Sequence, residues 1–417
     1  MTVFKKTSLA LSLMVAASAS HAAAPTNEEI WALLQQVQQQ LSDVQQQNQQ
    51  LKAENQTLKV KVDETEQTAN SAHETAEAVA EATESAVKSA SVSKTSIGGY
   101  GEMHYNSLDD QNGADDVDEI DFHRFVLFFG HEFNDNLRFF SEVEIEHSLV
   151  EGDAGAVELE QAYLQYDLND TTRVSAGMFL LPVGIINETH EPTTFYGTER
   201  NLVEKNIIPT TWWEGGAMVS GDLAQGFSYD LAFTSGLNTS IGDDYAVRDG
   251  RSHVAEATAK DPAYTGRLKW TAIPGVELAA SVQYQGDMTQ GIDAAAGSAT
   301  LFETHAVIEQ GPFALRALYA TWDLDGSGPA SVGADEQTGW YIEPSYKLND
   351  QVGLFSRYSL WDNQAGNSVD TEYTQWDIGV NWWIDPQVVV KLDYQDQSSP
   401  ANQTELDGVN IGLGYQF

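Results

Sequence analysis

Two carboxylate–imidazole pairs are the parts of this sequence best suited to chemistry. Glu102 and His104 share one face of an alternating segment, and Glu146 directly precedes His147. A carboxylate beside an imidazole can act as a general base or supply two ligands to a metal ion. Neither pair has a third partner that spacing can place, so both are read as polar wall residues and no metal is expected. The signatures G-x-S-x-G and H-E-x-x-H do not occur. "DLDGSG" (323–328) and "DDQNG" (109–113) fall short of an EF-hand loop, which needs Asp or Asn at its first, third and fifth positions before Gly and a later Glu. They support loose, nonspecific divalent binding at most. There are no Cys, which removes thiolate ligands, a Cys nucleophile and disulfides. Neither an enzyme nor a cofactor is expected.

The elements that carry these residues change period along the chain. Lys5 and Lys6 precede the apolar run "LALSLMVAA" (9–17), and "SASHAAAP" follows with small-x-small cleavage sites. This reads as a signal peptide over 1–22, too short in its apolar core to span a membrane. The mature protein is expected to be exported.

A heptad follows. Ile30, Val37, Val44, Leu51 and Leu58 form one series spaced by seven, and Leu34, Leu41, Asn48, Asn55 and Val62 form the second. Sustained a/d periodicity predicts a coiled coil over 28–94, and Leu at a with β-branched d residues favours more than two strands. At about 1.5 Å per residue the rod would be roughly 90 Å long.

From Ile97 the period becomes two. In "LRFFSEVEIEHSL", Arg138, Glu142, Glu144 and Glu146 alternate with Phe139, Val143 and Ile145. In "AYTGRLKW", Arg267 and Lys269 alternate with Tyr264, Leu268 and Trp270. Sixteen such runs lie between 97 and 417, joined alternately by tight Asn/Asp/Gly/Pro turns and longer polar loops. That asymmetry predicts an all-β transmembrane barrel of 16 antiparallel strands, porin-like, apolar towards outer-membrane lipid and polar inside. A soluble sandwich or propeller would not explain the loop asymmetry. The aromatic last strand ending on Phe417 fits the signal read by the outer-membrane insertion machinery. An even strand number puts the short turns, and the coiled coil with them, in the periplasm. Trp212, Trp213, Trp270, Trp361 and Trp383 are expected in aromatic girdles.

The stretches "GMFLLPVGIINETHEPTTFYGTERNLVEKNIIPTTWWEGGAMVSG" (177–221), "GGYGEMHYN" (98–106) and "FHRFVLFFGHEFNDNLRFFSEVEIE" (122–146) resemble porins of the phosphate-selective porin O and P type. The resemblance covers 97–417. It implies a homotrimer and a third long loop, Leu181 to Thr211, folded into the lumen as the constriction. That loop carries Glu188, His190, Glu191, Glu199, Arg200, Glu204 and Lys205. A coiled coil also occurs in some related uptake porins.

The chain departs from the resemblance in its charge. From residue 97 there are 14 Lys and Arg against 51 Asp and Glu, a balance of −37. Arg138, Arg173, Arg267, Lys269, Arg316, Lys347, Arg357 and Lys391 are placed mid-strand on the lumen face, with Glu142, Glu144, Glu146, Glu303 and Glu343 also on the wall. A basic strip facing an acidic one would give a transverse field; alternation alone would give polarity without selectivity. The whole-chain charge of −41 excludes a nucleic-acid binder. Acidic outer loops should enrich cations, giving a weakly cation-selective or nonselective pore for small hydrophilic solutes or ions. A phosphate- or anion-selective pore is the alternative. So is a tether that reaches a cell-wall or periplasmic partner through the coiled coil.

Overall fold

The computed structural model describes residues 94–149 and 155–417, together with scattered positions between Asn27 and Lys61. The chain divides into two compact units, Met1–Val92 and Ser93–Phe417. The expected signal peptide lies outside the described residues, and so do most of the heptad positions. Leu34 and Leu41 are described, both helical and exposed.

The second unit is one closed barrel of sixteen antiparallel strands. In chain order they are β1 (Thr95–Asp110), β2 (Val117–Glu132), β3 (Leu137–Glu146), β4 (Val157–Asn169), β5 (Thr172–Leu180), β6 (Trp213–Asp222), β7 (Phe227–Thr234) and β8 (Ala263–Trp270). They continue as β9 (Val276–Gln285), β10 (Ala299–Gln310), β11 (Phe313–Leu324), β12 (Glu336–Lys347), β13 (Val352–Asp362), β14 (Tyr373–Asp385), β15 (Val388–Ser398) and β16 (Leu406–Gln416). Each pairs with its sequence neighbours. β1 closes on β16 in a register running from Tyr100 opposite Gln416 to Asp110 opposite Leu406. Closure leaves no unpaired sheet edge, the condition for a sheet in hydrocarbon. Gly99 seals the seam: it exchanges backbone hydrogen bonds with Phe417 at 2.9 and 3.0 Å. A Cβ at Gly99 would lie 2.2 Å from the Val126 carbonyl oxygen, so only glycine lets β1 and β2 approach there.

The outer face follows the two-residue alternation. Tyr264, Leu268, Leu392, Tyr394, Ile411 and Leu413 are exposed on it, while Arg267, Asp393 and Asn410 between them are buried inside. The register shifts at four places among the described strands, two of them near strand ends at Asp167–Asn169 and Trp383–Asp385 and two within the wall. Opposite Met103 the β2 strand carries an extra residue, so that Asp121 pairs with His104 and Arg124 with Glu102. On β4 the register slips beside Glu142 and Val143, and Glu160 and Gln161 are both buried. A bulge re-aims side chains towards one face, and both bulges within the wall bring polar groups inside.

The apolar core sits within the barrel. Val183, Ile186, Phe195, Val203, Ile207, Ile208 and Trp212, from the connection between β5 and β6, pack against Leu318, Ala320 and Trp322 of β11 and Tyr341 of β12. β11 is therefore apolar on both faces, and the inner wall there is not polar as alternation predicts. Burying such side chains contributes about 1.5–3 kcal/mol each. Three tryptophans expected in the girdles are instead buried: Trp212, Trp213 and Trp361. Lipid-facing aromatic clusters form elsewhere, as in Trp340–Tyr358–Trp376 with ring centroids 5.3 and 4.8 Å apart.

Candidate functional site: the lumen around loop 3

The connection between β5 and β6, residues 181–212 and here called loop 3, runs through the barrel interior. Its polar backbone is taken up by the wall. Trp383 Nε1 donates to the Thr193 carbonyl (3.2 Å), Asn381 Nδ2 to that of Phe195 (3.0 Å) and Trp322 Nε1 to that of Ile207 (2.9 Å). Thr198 N donates to Asp393 Oδ1 at 2.6 Å. Wall glycines seat the loop: a Cβ at Gly353 would meet Tyr196 Oη at 2.2 Å, and one at Gly414 would meet Pro192 at 2.5 Å. Within the loop, a short helix α1 (Val203–Asn206) carries Glu204. Its carboxylate accepts from Ile185 N and Ile186 N at 2.6 Å, Asn201 Nδ2 at 2.9 Å and Tyr341 Oη at 3.0 Å. Burial pushes the Glu204 carboxyl above its ordinary value, partly offset by these donors. Glu204 thus clasps the loop to itself and to β12.

The loop separates two cavities. The one on the long-loop side is about 560 Å³ and is bordered by Thr198, Glu199, Arg200 and Lys205 of loop 3. The one on the short-turn side is about 470 Å³ and is bordered by Thr193, Thr194 and Tyr196.

Charges around the loop are paired locally. Arg357 Nε donates to Asp377 (3.0 Å) and its Nη1 to Glu343 (3.2 Å). Arg357 also reaches the Tyr196 and Glu199 carbonyls at 3.3 Å. Arg267 bridges Asp230 (2.7 Å) on the wall and Glu188 on the loop. Arg124 lies 2.7 Å from Glu102 and 3.6 Å from Glu144. Basic and acidic groups therefore alternate on neighbouring strands rather than forming two opposed strips. Lys391 is buried, with Nζ 3.5 Å from the centre of the Phe195 ring. Of the other five basic positions, Arg138, Arg173, Lys269 and Lys347 stand within two residues of a short turn, while Arg316, like Lys391, is the fourth residue of its strand. Arg138 pairs with Asp167, Lys269 lies 3.7 Å from Glu277, and Arg316 donates to the Thr194 carbonyl (2.8 Å). Glu142, Glu144, Glu303 and Glu343 are buried inside, and Glu146 is half-buried.

The loop residues divide by role. His190 lies 3.2 Å from Glu142 and 3.7 Å from Glu160. Arg200 donates to Thr211 Oγ1 (2.9 Å) and the His190 carbonyl (3.2 Å). Glu191 is half-buried, and Lys205 is exposed in the long-loop cavity. Sequence reasoning missed Arg124, Arg248 and Arg251. Arg248 and Arg251 come from the β7–β8 connection and brace loop 3 through the Thr210 and Thr211 carbonyls at 3.0 and 2.8 Å. No local signal links residues so far apart. The missing third partners of the two carboxylate–imidazole pairs also appear. Glu199 lies 2.8 Å from His104 Nδ1, and Asp121 lies 2.8 Å from His147 Nδ1.

The family described as phosphate-selective porin O and P matches residues 97–417, the whole barrel. The chain belongs to this family. It is an outer-membrane porin, a channel and not an enzyme. A relative from Aquifex aeolicus (strain VF5), described as an uncharacterized protein, is 32% identical over 354 residues, 74% of this chain and 77% of its own. Among solved structures, the anion-selective porin from Comamonas acidovorans has a TM-score of 0.56 at 11% identity, covering 78% of this chain and 99% of that one. The in-vitro folded trimer form of OmpT from Vibrio cholerae has a TM-score of 0.51 at 12% identity, covering 78% and 99%. These likenesses show the porin's fold.

Proposed function

We propose that this porin is a homotrimeric, passive diffusion channel for small hydrophilic solutes or ions, narrowed by loop 3. The observation that supports this most directly is the placement of loop 3 between two cavities, held by Glu204, Arg357 and Arg267. The trimer follows by analogy with the trimer form of OmpT. The heptad over 28–94 would reinforce it in the periplasm.

Selectivity is weak and favours cations. Arg124, Arg267 and Arg357 are paired with carboxylates, whereas Arg200, Arg248 and Arg251 donate to hydroxyl or carbonyl oxygens, so the cation preference rests on the acidic mouth. Acids gather at the long-loop mouth: Asp109, Asp110, Asp115, Asp116 and Asp118 lie at the β1–β2 connection. Such a mouth enriches cations by its potential. The competing reading is an anion- or phosphate-selective pore. It draws on the family's description and on the ring of Arg138, Arg173, Lys269, Arg316 and Lys347 at the short-turn mouth.

Planar-bilayer recording of the purified full chain across a KCl gradient decides between them. The expected result is conductance in three equal steps with a small reversal potential of cation sign. A clear anion sign overturns the selectivity reading, and absence of conductance overturns the open pore.

A further inference from the structure

Three of the barrel's histidines converge on the long-loop cavity, on residues the pore's architecture does not require. Asp121 and His123, two residues apart on β2, both face inward, and the backbone N of His147, just beyond β3, donates to the His123 carbonyl at 3.2 Å. That fixes the two rings beside one carboxylate. Asp121 Oδ2 lies 3.0 Å from His123 Nδ1 and 2.8 Å from His147 Nδ1, and all three atoms fall within 4.8 Å of one another. The two rings are edge to face with centroids 5.4 Å apart. On its other side His123 stacks on His104 at 4.6 Å, and His104 is clamped between Glu102 (3.4 Å) and Glu199 (2.8 Å).

We propose that Asp121, His123 and His147 form a binding site for a divalent first-row transition-metal cation on the wall of the long-loop cavity. Two imidazoles and one carboxylate on one side of an ion leave its remaining positions to water, an arrangement suited to Zn²⁺, Co²⁺, Ni²⁺ or Fe²⁺. Asp121 Oδ2 is within hydrogen-bond distance of both Nδ1 atoms, and an ion entering between them replaces those contacts with ligand bonds of about 2.1 Å. Imidazole nitrogen disfavours Mg²⁺ and Ca²⁺, which take oxygen ligands. A neutral imidazole binds through Nδ1 once its hydrogen sits on Nε2, so binding requires no other residue to take a proton. The side chains of His123 and His147 are 26% and 40% exposed, so an ion in the cavity can reach them. Glu119 and Glu146 border the same cavity, as do Arg124, Arg200, Lys205 and Arg248. The site would load a cation at the mouth before it meets loop 3. It stands on these three side chains and does not depend on the pore being cation-selective.

The test is Co²⁺ titration of the untagged, detergent-purified full chain, followed by visible d–d absorption, with Zn²⁺ and Mg²⁺ as competitors. One Co²⁺ per chain is expected, displaced by Zn²⁺ and not by equimolar Mg²⁺. His123→Gln and His147→Gln should each weaken binding by tenfold or more. His131→Gln, a histidine that pairs with Thr95 near the short-turn end, should leave it unchanged. Heat-modifiable gel migration confirms that each variant is folded. The proposal is overturned if no d–d band appears, if Mg²⁺ competes equally, or if binding survives the His123/His147 double variant. Loss of binding in His190→Gln alone overturns it too, because the ion would then sit at the buried Glu142–Glu160–His190 group. A second arm adds Zn²⁺ to the long-loop side in the bilayer. Reversible reduction of conductance that disappears in His147→Gln supports the site's place in the pore. Binding without such reduction leaves the site standing and overturns its position on the permeation path.

Discussion

Single side chains hold loop 3 in place, and their loss should be felt as loosening. Arg357 is 3% exposed and touches two carboxylates and two loop carbonyls. Arg357→Ala leaves Glu343 and Asp377 buried without their cation, a loss of about 3 kcal/mol. The expected readout is a lower unfolding temperature by heat-modifiable migration, together with noisier single-channel current as the loop detaches. Glu204 acts through hydrogen bonds more than through charge, since burial already opposes its ionised form. Glu204→Ala orphans two backbone N–H groups and should cost about 3 kcal/mol. Glu204→Gln keeps an acceptor and should cost less. Equal destabilisation by the two variants would show that the charge itself holds the loop.

At the scale of elements, β16 and loop 3 are shaped to each other. Gly414 faces inward, opposite Glu102, and its missing side chain leaves room for Pro192. Gly414→Val should push the loop off the wall towards the pore axis and lower the single-channel conductance, with the barrel still closed. Unchanged conductance would mean that the loop adapts by local shifts. The bulge on β2 is the other decisive element, because it presents Asp121, His123 and Arg124 to the lumen within four residues. A regular strand would send His123 and Arg124 to opposite faces.

The whole molecule joins a barrel that closes on itself to a segment with a heptad repeat. A sixteen-strand barrel satisfies its own hydrogen bonds and needs no stalk to conduct. Deleting residues 28–90 while keeping residues 1–22, the expected signal peptide, should therefore keep the unit conductance while lowering the heat resistance of the proposed trimer. Loss of a cell-envelope phenotype with conductance intact would give weight to the tethering role. Loss of conductance itself would show that the barrel depends on the stalk.

Strand number, turn asymmetry and the inward set on most strands were legible in the sequence, because a wall between lipid and water imposes a two-residue period on every strand. Arg267 against Leu268 is one such case, the first buried and the second exposed, while Lys269 and Trp270 at the strand end are both half-buried. The location of loop 3 was readable only through resemblance: its apolar residues, such as Val183, Ile186, Ile207 and Ile208, call for burial but do not say against which wall. What sequence could not supply were the partners. His104 meets Glu199, Asp121 meets His147, and Arg248 braces Thr210, each pair separated by at least 26 residues. Two of those pairs were hidden by distance along the chain alone. The third was hidden also by a bulge, which shifts the alternation by one residue without leaving a mark in composition. Periodicity is a local property and fixes which face a side chain takes. Closure of the barrel and the path of one loop through it are non-local, and they alone decide which charges meet inside.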